Sequence, residues 1–137
     1  MTGVQTCALP IFDLLAGPSD LLVIADDTAN AKFAASDMLA QAEHGSGHER
    51  VWLVTTSAKV LKAVENEISK QLPKLSRRDL IQRVLDRNVW LIQVANIADA
   101  IALANQIAPE HCEVITREAR KVSNGIVTAG EIGRAHV

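Results

Sequence analysis

Three short aliphatic, β-branched runs, each closed by polar residues and followed by a helix-periodic stretch, leave this chain few ways to fold. The first is Leu21-Leu22-Val23-Ile24-Ala25, closed by Asp26-Asp27. No polar residue alternates within it, so a strand made of it must bury both faces, as strands do in a parallel sheet covered by helices. Val51-Trp52-Leu53-Val54-Thr55-Thr56 and Val89-Trp90-Leu91-Ile92-Gln93-Val94 repeat the pattern. Between the first two, Thr28 or Asn30 can cap a helix whose apolar face is Phe33, Ala34, Met38 and Leu39, with Lys32 and Asp37 toward solvent. Between the second and third, Ser57 caps a helix carrying Val60, Leu61, Val64 and Ile68, and Pro73 follows its end. Helix resumes at Ser76 with Leu80, Ile81, Val84 and Leu85 inward. Strand, helix, strand at this spacing is a right-handed crossover, which makes the chain an α/β protein with a parallel sheet.

The remainder continues the alternation. Asn96 or Asp99 starts a helix with Ile97, Ala100, Ile101, Ala104 and Ile107 at helical spacing, and Pro109 stops it. Residues 112–116 read as a short strand and residues 117–123 as a short helix, after which Ile126-Val127 begins another apolar segment. A length of 137 residues suits one domain with a real core. A net charge of -2 and the lack of a Lys/Arg stripe argue against a nucleic-acid partner, and aromatics at 3% offer few stacking platforms. Apolar runs end well short of the roughly 18 residues that span a bilayer, and the first residues lack the basic and apolar regions of a signal peptide, so no membrane association is expected. Two cysteines, Cys7 and Cys112, are too few for a disulfide framework, which makes the cytoplasm the expected compartment.

Residues 1–11 and 131–137 follow neither periodicity. Both resemble translated sequencing-adapter DNA, so the native segment is expected to span residues 12–130, cut from a longer protein, with Cys7 and His136 carrying no function. Encoding DNA that continued into genomic sequence through these codons would overturn that expectation.

Chemistry concentrates at three places. Leu39-Ala40-Gln41-Ala42-Glu43-His44-Gly45 ends the first helix, and positions three apart share a helix face, so Gln41 and His44 can aim an amide oxygen and a ring nitrogen at one target while a left-handed Gly45 turns the chain away. Taken alone, the same residues also describe a polar helix end. Ala16-Gly17-Pro18-Ser19-Asp20 is a turn before the first strand, where Ser19 can simply bond backbone. Ala108-Pro109-Glu110-His111 sets a carboxylate beside an imidazole at a helix-to-strand turn, a plausible acid/base pair that also describes an exposed turn. Cys112 reads as a small core residue, not a nucleophile. His48, beside Glu49 and the glycines, reads as exposed, and Arg77, Arg78, Asp79, Arg83, Asp86 and Arg87 as a solvated face.

In this order and spacing the three motifs resemble the central part of the histidinol dehydrogenases, and the resemblance covers residues 12–130. It implies a Rossmann-like parallel sheet with flanking helices, an incomplete piece of a larger enzyme. It also implies zinc- and NAD-dependent oxidation of L-histidinol to L-histidine through an aldehyde, in a homodimeric parent. On the matching positions, Gln41 and His44 are expected to ligate zinc and Ser19, Gln41, His44 and His111 to contact substrate, with Glu110 and His111 as the catalytic acid/base pair. Gln lies outside the usual Cys, His, Asp and Glu zinc ligands. The family's other two zinc ligands, an Asp and a His, lie beyond this chain, much of the NAD-binding region precedes it, and the contacts to NAD are unassigned. The fragment is therefore expected to be inactive. Asp20 stands where Glu is more usual in the family, and Cys112 where Leu often stands. Two alternatives stay open: a non-catalytic α/β domain whose polar motifs only finish helices, and a zinc hydrolase, which gains if His48 turns in beside His44. Convergence of the motifs near the Ser19 turn, at one edge of the sheet where loops gather, discriminates among them.

Overall fold

A computed structural model describes residues 19–134 as alternating strands and helices. In chain order these are β1 (Asp20–Ala25), α1 (Ala31–Ala42), β2 (Arg50–Thr55), α2 (Ala58–Gln71), α3 (Arg78–Asn88), β3 (Val89–Gln93), α4 (Ile97–Ile107), β4 (His111–Ile115), α5 (Ala119–Asn124) and β5 (Glu131–Arg134). One 3-10 turn, Leu72–Lys74, joins α2 to the segment before α3, with Pro73 inside it. All strands are parallel, in the order β3-β2-β1-β4-β5. The chain thus builds outward from β1 through β2 and β3, then crosses back to lay β4 on the other side of β1.

The apolar runs explain the sheet. Leu21, Val23 and Ala25 project to one face and pack with Ala34, Ala35, Met38, Leu39, Val60, Val64, Ile81 and Val84 of α1, α2 and α3. Leu22 and Ile24 project to the other, with Trp52, Trp90, Cys112, Val114, Ala100, Ala104 and Val122. Each fully buried aliphatic side chain contributes about 1.5–3 kcal/mol of transfer free energy, which makes β1, buried along its whole length, the centre of the core. Trp52 and Trp90 are cross-strand partners whose rings stack at 5.4 Å. Asn30, Ser57 and Asn96 cap α1, α2 and α4 by accepting from backbone N–H groups, each cap worth about 1 kcal/mol. Thr28, the other cap candidate, bonds Asp26 instead.

Several expectations shift by small rotations. Phe33 is 64% exposed, because the inward stripe of α1 is carried by Ala34, Ala35, Met38, Leu39 and Ala42, whose small members let the helix sit close to the sheet. Leu61, Leu80 and Leu85 are half-buried. β4 begins at His111, which is therefore a strand residue. Ile126 is buried but Val127 is 78% exposed, and the segment they begin is not a strand. The sheet passes the expected boundary at residue 130, since β5 pairs with β4 from His111↔Glu131 onward. All four β5 residues are exposed. The expectations for residues 1–11, for Ala16 to Pro18 and for His136 lie outside the described residues. Among the described residues, no helix is long and apolar enough to cross a membrane.

On the α1 face of β4, Glu113 is half-buried beside Asp37. Burial first, then the hydrogen bond and charge of Asp37, push its carboxyl from an ordinary 4.5 up to about 8. The folded chain keeps a proton that the unfolded chain releases above its ordinary value. The contribution of Glu113 to stability is therefore full below about pH 4.5 and is lost as pH rises through about 8. Glu113→Gln is expected to melt at a higher temperature than the parent chain at pH 8, with the gap closing toward pH 5. Thermal melts across that range check it, and a pH-independent gap would count against the assignment.

Candidate active site

β1 and α1 together place the first group of polar residues. The crossover runs α1 back antiparallel to the strands, so its last turn reaches the amino-terminal edge of the sheet, where Ser19 precedes β1. Gln41, buried on that last turn, donates from Nε2 to Ser19 Oγ at 2.6 Å. His44, exposed just beyond the helix, brings Nδ1 to 3.1 Å from the same oxygen. Ser19 Oγ is thus the shared atom of the cluster. A His that ligates a metal through Nε2 carries its proton on Nδ1 and donates it to a fixed acceptor. In that tautomer Ser19 Oγ is the acceptor, and Gln41 Oε1 and His44 Nε2 are left to serve one ligand.

The turn after α1 is fastened from two sides. Arg77, just before α3, donates from Nη1 to the Glu43 carbonyl at 3.0 Å, where a helix C-terminus has unpaired acceptors and favours a cation. Gly45 has φ 105, and a Cβ there would sit 3.3 Å from the Arg77 guanidinium, so glycine suits both the backbone and the contact. Glu49 is 1% exposed and its Oε1 accepts from Ser46 N at 2.9 Å. Burial alone would raise the Glu49 carboxyl, but backbone hydrogen bonds from Ser46, Glu49 and Gly47 hold it below its ordinary value. The carboxylate therefore organises the loop from within. His48 is exposed, its backbone N–H on Ser46 Oγ at 3.0 Å.

The second group arrives from α4 and β4. Ala108 ends α4 in the left-handed region (φ 52), Pro109 is buried, and Glu110 leads into β4. Glu110 N donates to Asp20 Oδ1, and Asp20 Oδ2 accepts from Arg50 Nη2 at 2.8 Å. Glu110 Oε1 lies 3.4 Å from His111 Nε2, and Glu131 Oε2 lies 3.1 Å from His111 Nδ1. Gly130 passes so close that a Cβ would meet the Glu110 carbonyl oxygen at 2.8 Å. Ser19, Gln41 and His44 are therefore in direct contact, and Glu110 and His111 join them through Asp20, all at the amino-terminal edge. Ligand sites of open parallel sheets ordinarily lie outside the carboxyl ends of the strands. Asp20, Arg50, Arg77, Glu49 and Gly130 are supports that sequence reasoning did not single out. The available signal was a carboxylate directly ahead of a fully apolar strand, a costly position unless it is hydrogen bonded.

The donor set fits half of a zinc site. Gln41 would supply an oxygen and His44 a nitrogen, two donors for a four-coordinate ion. Among the described residues, no three His, Cys, Asp or Glu side chains gather as a metal site.

A five-stranded parallel sheet in this order, with helices on both faces, defines a partial Rossmann-like α/β domain. Its backbone superposes on the crystal structure of histidinol dehydrogenase from Elizabethkingia anophelis with a TM-score of 0.82 and 34% identity, covering 88% of this chain and 27% of that one. The family model for histidinol dehydrogenase matches residues 7–136, and the chain belongs to that family. It is 44% identical over 120 residues to the histidinol dehydrogenase of Lactococcus lactis subsp. lactis and 40% identical to that of Methanocaldococcus jannaschii. Those alignments cover 88% of this chain but 28% and 27% of the relatives, so the chain spans about a quarter of their length.

Cys112 lies in the core at 1% exposure, and burial, followed by the charge of Glu113, pushes its thiol up to about 12. The reactive species is the thiolate, so this cysteine is inert in the fold. Iodoacetamide at pH 8 is expected to leave Cys112 unmodified in the native chain and to alkylate it after denaturation. Peptide mass spectrometry reads the two cysteines separately, and native labelling of Cys112 would show that it is not a core residue.

Proposed function

We propose that this chain is a segment of an enzyme that oxidises L-histidinol to L-histidine through the aldehyde, and that Ser19, Gln41, His44, Glu110 and His111 are its share of the active site. The observation that carries the reading is the single Ser19 hydroxyl joined to both Gln41 Nε2 and His44 Nδ1, an arrangement that leaves Gln41 Oε1 and His44 Nε2 to serve as the proposed ligand pair. Gln41 and His44 would hold zinc. When bound, zinc supplies a Lewis-acidic anchor and NAD the hydride acceptor.

The remaining work falls to this chain's own groups. Ser19 orients the ligand pair and contacts the substrate. His111 takes the alcohol proton as the carbinol carbon is oxidised, and Glu110, whose side chain is exposed beside it, activates the water that adds to the aldehyde in the second oxidation. The parent works as a cytoplasmic homodimer, and its other zinc ligands and its NAD contacts come from outside this segment. Residues 131–137 are appended sequence: a parallel edge pairs through backbone, so β5 demands little of its four exposed side chains, and the Glu131 contact to His111 belongs to this chain and not to the parent. The hydrolase alternative loses its third ligand because His48 stays exposed on its own loop.

Kinetics separate the two oxidations. In a full-length enzyme containing this segment, Glu110→Gln is expected to lower the aldehyde-to-acid rate by about 100-fold or more while the alcohol step falls by less than about tenfold. The 137-residue chain alone should form no NADH. Equal losses in both steps would refute the division of roles, and zinc-dependent turnover by the chain alone would refute its incompleteness.

A further inference from the structure

Asp20 is the residue through which the two halves of the site meet. It directly follows Ser19, whose hydroxyl Gln41 and His44 share. Its carboxylate divides. Oδ1 accepts from the Glu110 N–H across 90 residues of sequence, and Oδ2 accepts from Arg50 at 2.8 Å. The residue is 7% exposed, so the carboxylate has little freedom to turn. Arg50 is the cross-strand partner of Asp20 in β1–β2, and its guanidinium lies 5.5 Å from the Trp52 ring centroid, which holds the cation in place. One side chain thereby ties the start of β1, the start of β2 and the turn before β4.

We infer that Asp20 is a positioning residue for the dehydrogenase reaction, setting the placement of the Glu110–His111 turn relative to the Ser19, Gln41 and His44 cluster. The inference rests on the functional reading above and adds a role to a residue that touches neither substrate nor metal in it. Ser19 reaches Gln41 and His44 without the Asp20 carboxylate, so losing that carboxylate spares the ligand pair. Among the described residues the Glu110 backbone N–H bonds Asp20 alone, while the Pro109 and Glu110 carbonyls accept from the Gly130 and Glu131 N–H groups at 3.1 and 2.8 Å, so the same loss frees the acid/base turn on its β1 side. A displacement of about 1 Å at reacting groups costs on the order of 100-fold in rate.

Steady-state kinetics and zinc content of a full-length enzyme containing this segment test it. Asp20→Ala is expected to lower kcat by about tenfold or more with KM for histidinol and zinc per chain within about threefold of the parent. Asp20→Glu, which keeps a divided carboxylate, should recover a large part of that loss. A kcat unchanged in Asp20→Ala, a fall in kcat that tracks loss of zinc, or an equal loss in Asp20→Glu would each overturn the inference. Where Asp20→Ala does not fold, Arg50→Ala loosens the carboxylate while sparing the Glu110 bond; a smaller drop in kcat at full zinc content is expected, and no drop overturns the inference. Absence of histidinol oxidation in the unsubstituted enzyme would instead defeat the functional reading. The contact is then read in the 137-residue chain itself by amide exchange. There Asp20→Ala should speed exchange at Glu110 by about tenfold or more over the amides of β1, and unchanged exchange overturns the inference.

Discussion

Everything in this fold depends on β1 being buried on both faces and paired on both sides. Its aliphatic residues contribute to both halves of the core, and its two neighbours, β2 and β4, come from sequence 30 and 90 residues downstream. A strand in that position has to be terminated by polar groups that find partners, since an unpaired buried carboxylate is far costlier than a paired one. β1 carries a carboxylate at each end, and both reach to β4. Asp20 accepts from Glu110 ahead of β4, and Asp26 accepts from the Arg117 N–H after it at 2.9 Å. Burial works to raise Asp26, but hydrogen bonds from Thr28 and Arg117 outweigh it and hold the carboxyl below its ordinary value. These two bonds fix the register of the longest-range pairing in the sheet, and one of them lies within the candidate site.

The layered architecture was legible because its signal is repetitive. Uninterrupted runs such as residues 21–25 admit only a strand covered on both faces, and Ser57, Asn96 and Pro109 punctuate the helices with chemistry that works locally. The orientation of α1 was less legible. Phe33 is the largest apolar side chain on that helix yet faces out, because two consecutive alanines, Ala34 and Ala35, belong to the fully buried face instead. Composition favours the bulky residue, whereas packing distance favours the small ones. Of the site, the groups that would meet a ligand were legible, since amide, imidazole and carboxylate at motif spacing carry a resemblance. Their supports were not. Arg77 reads as one charge among many on a solvated helix, and nothing in its neighbours shows that it caps α1 from 34 residues away. Glu49 lies between His48 and Arg50 in the sequence, where nothing local signals that it is 1% exposed.

The loop between α1 and β2 shows why such supports matter. His44 lies outside the helix, in sequence rich in glycine, where backbone freedom is greatest. Arg77 holds the carbonyl before it and Glu49 holds the amide of Ser46 after it. The Glu49 carboxylate is buried at the loop that carries a proposed metal ligand, and its bond to the Ser46 N–H holds that loop from within. Preorganisation of this kind lets a flexible sequence present a ring nitrogen in one direction.

The choice of sheet edge follows from the same electrostatics. In a parallel sheet every crossover helix points its amino terminus toward the carboxyl ends of the strands and its carboxyl terminus toward their amino ends. The first edge collects partial positive charge and suits phosphates; the second collects unpaired carbonyls and suits cations. This chain has no glycine-rich turn after β1, where Asp26-Asp27-Thr28-Ala29-Asn30 leaves no close approach for a pyrophosphate. The groups proposed to meet a ligand lie instead at and just beyond the carboxyl terminus of α1, where the Glu43 carbonyl already draws the Arg77 guanidinium. A cationic ligand is the kind of partner that such an edge favours. The Gln41 to His44 turn is thus better placed for the proposed chemistry at the amino edge than it would be in the crevice where nucleotide-binding sheets hold their ligands.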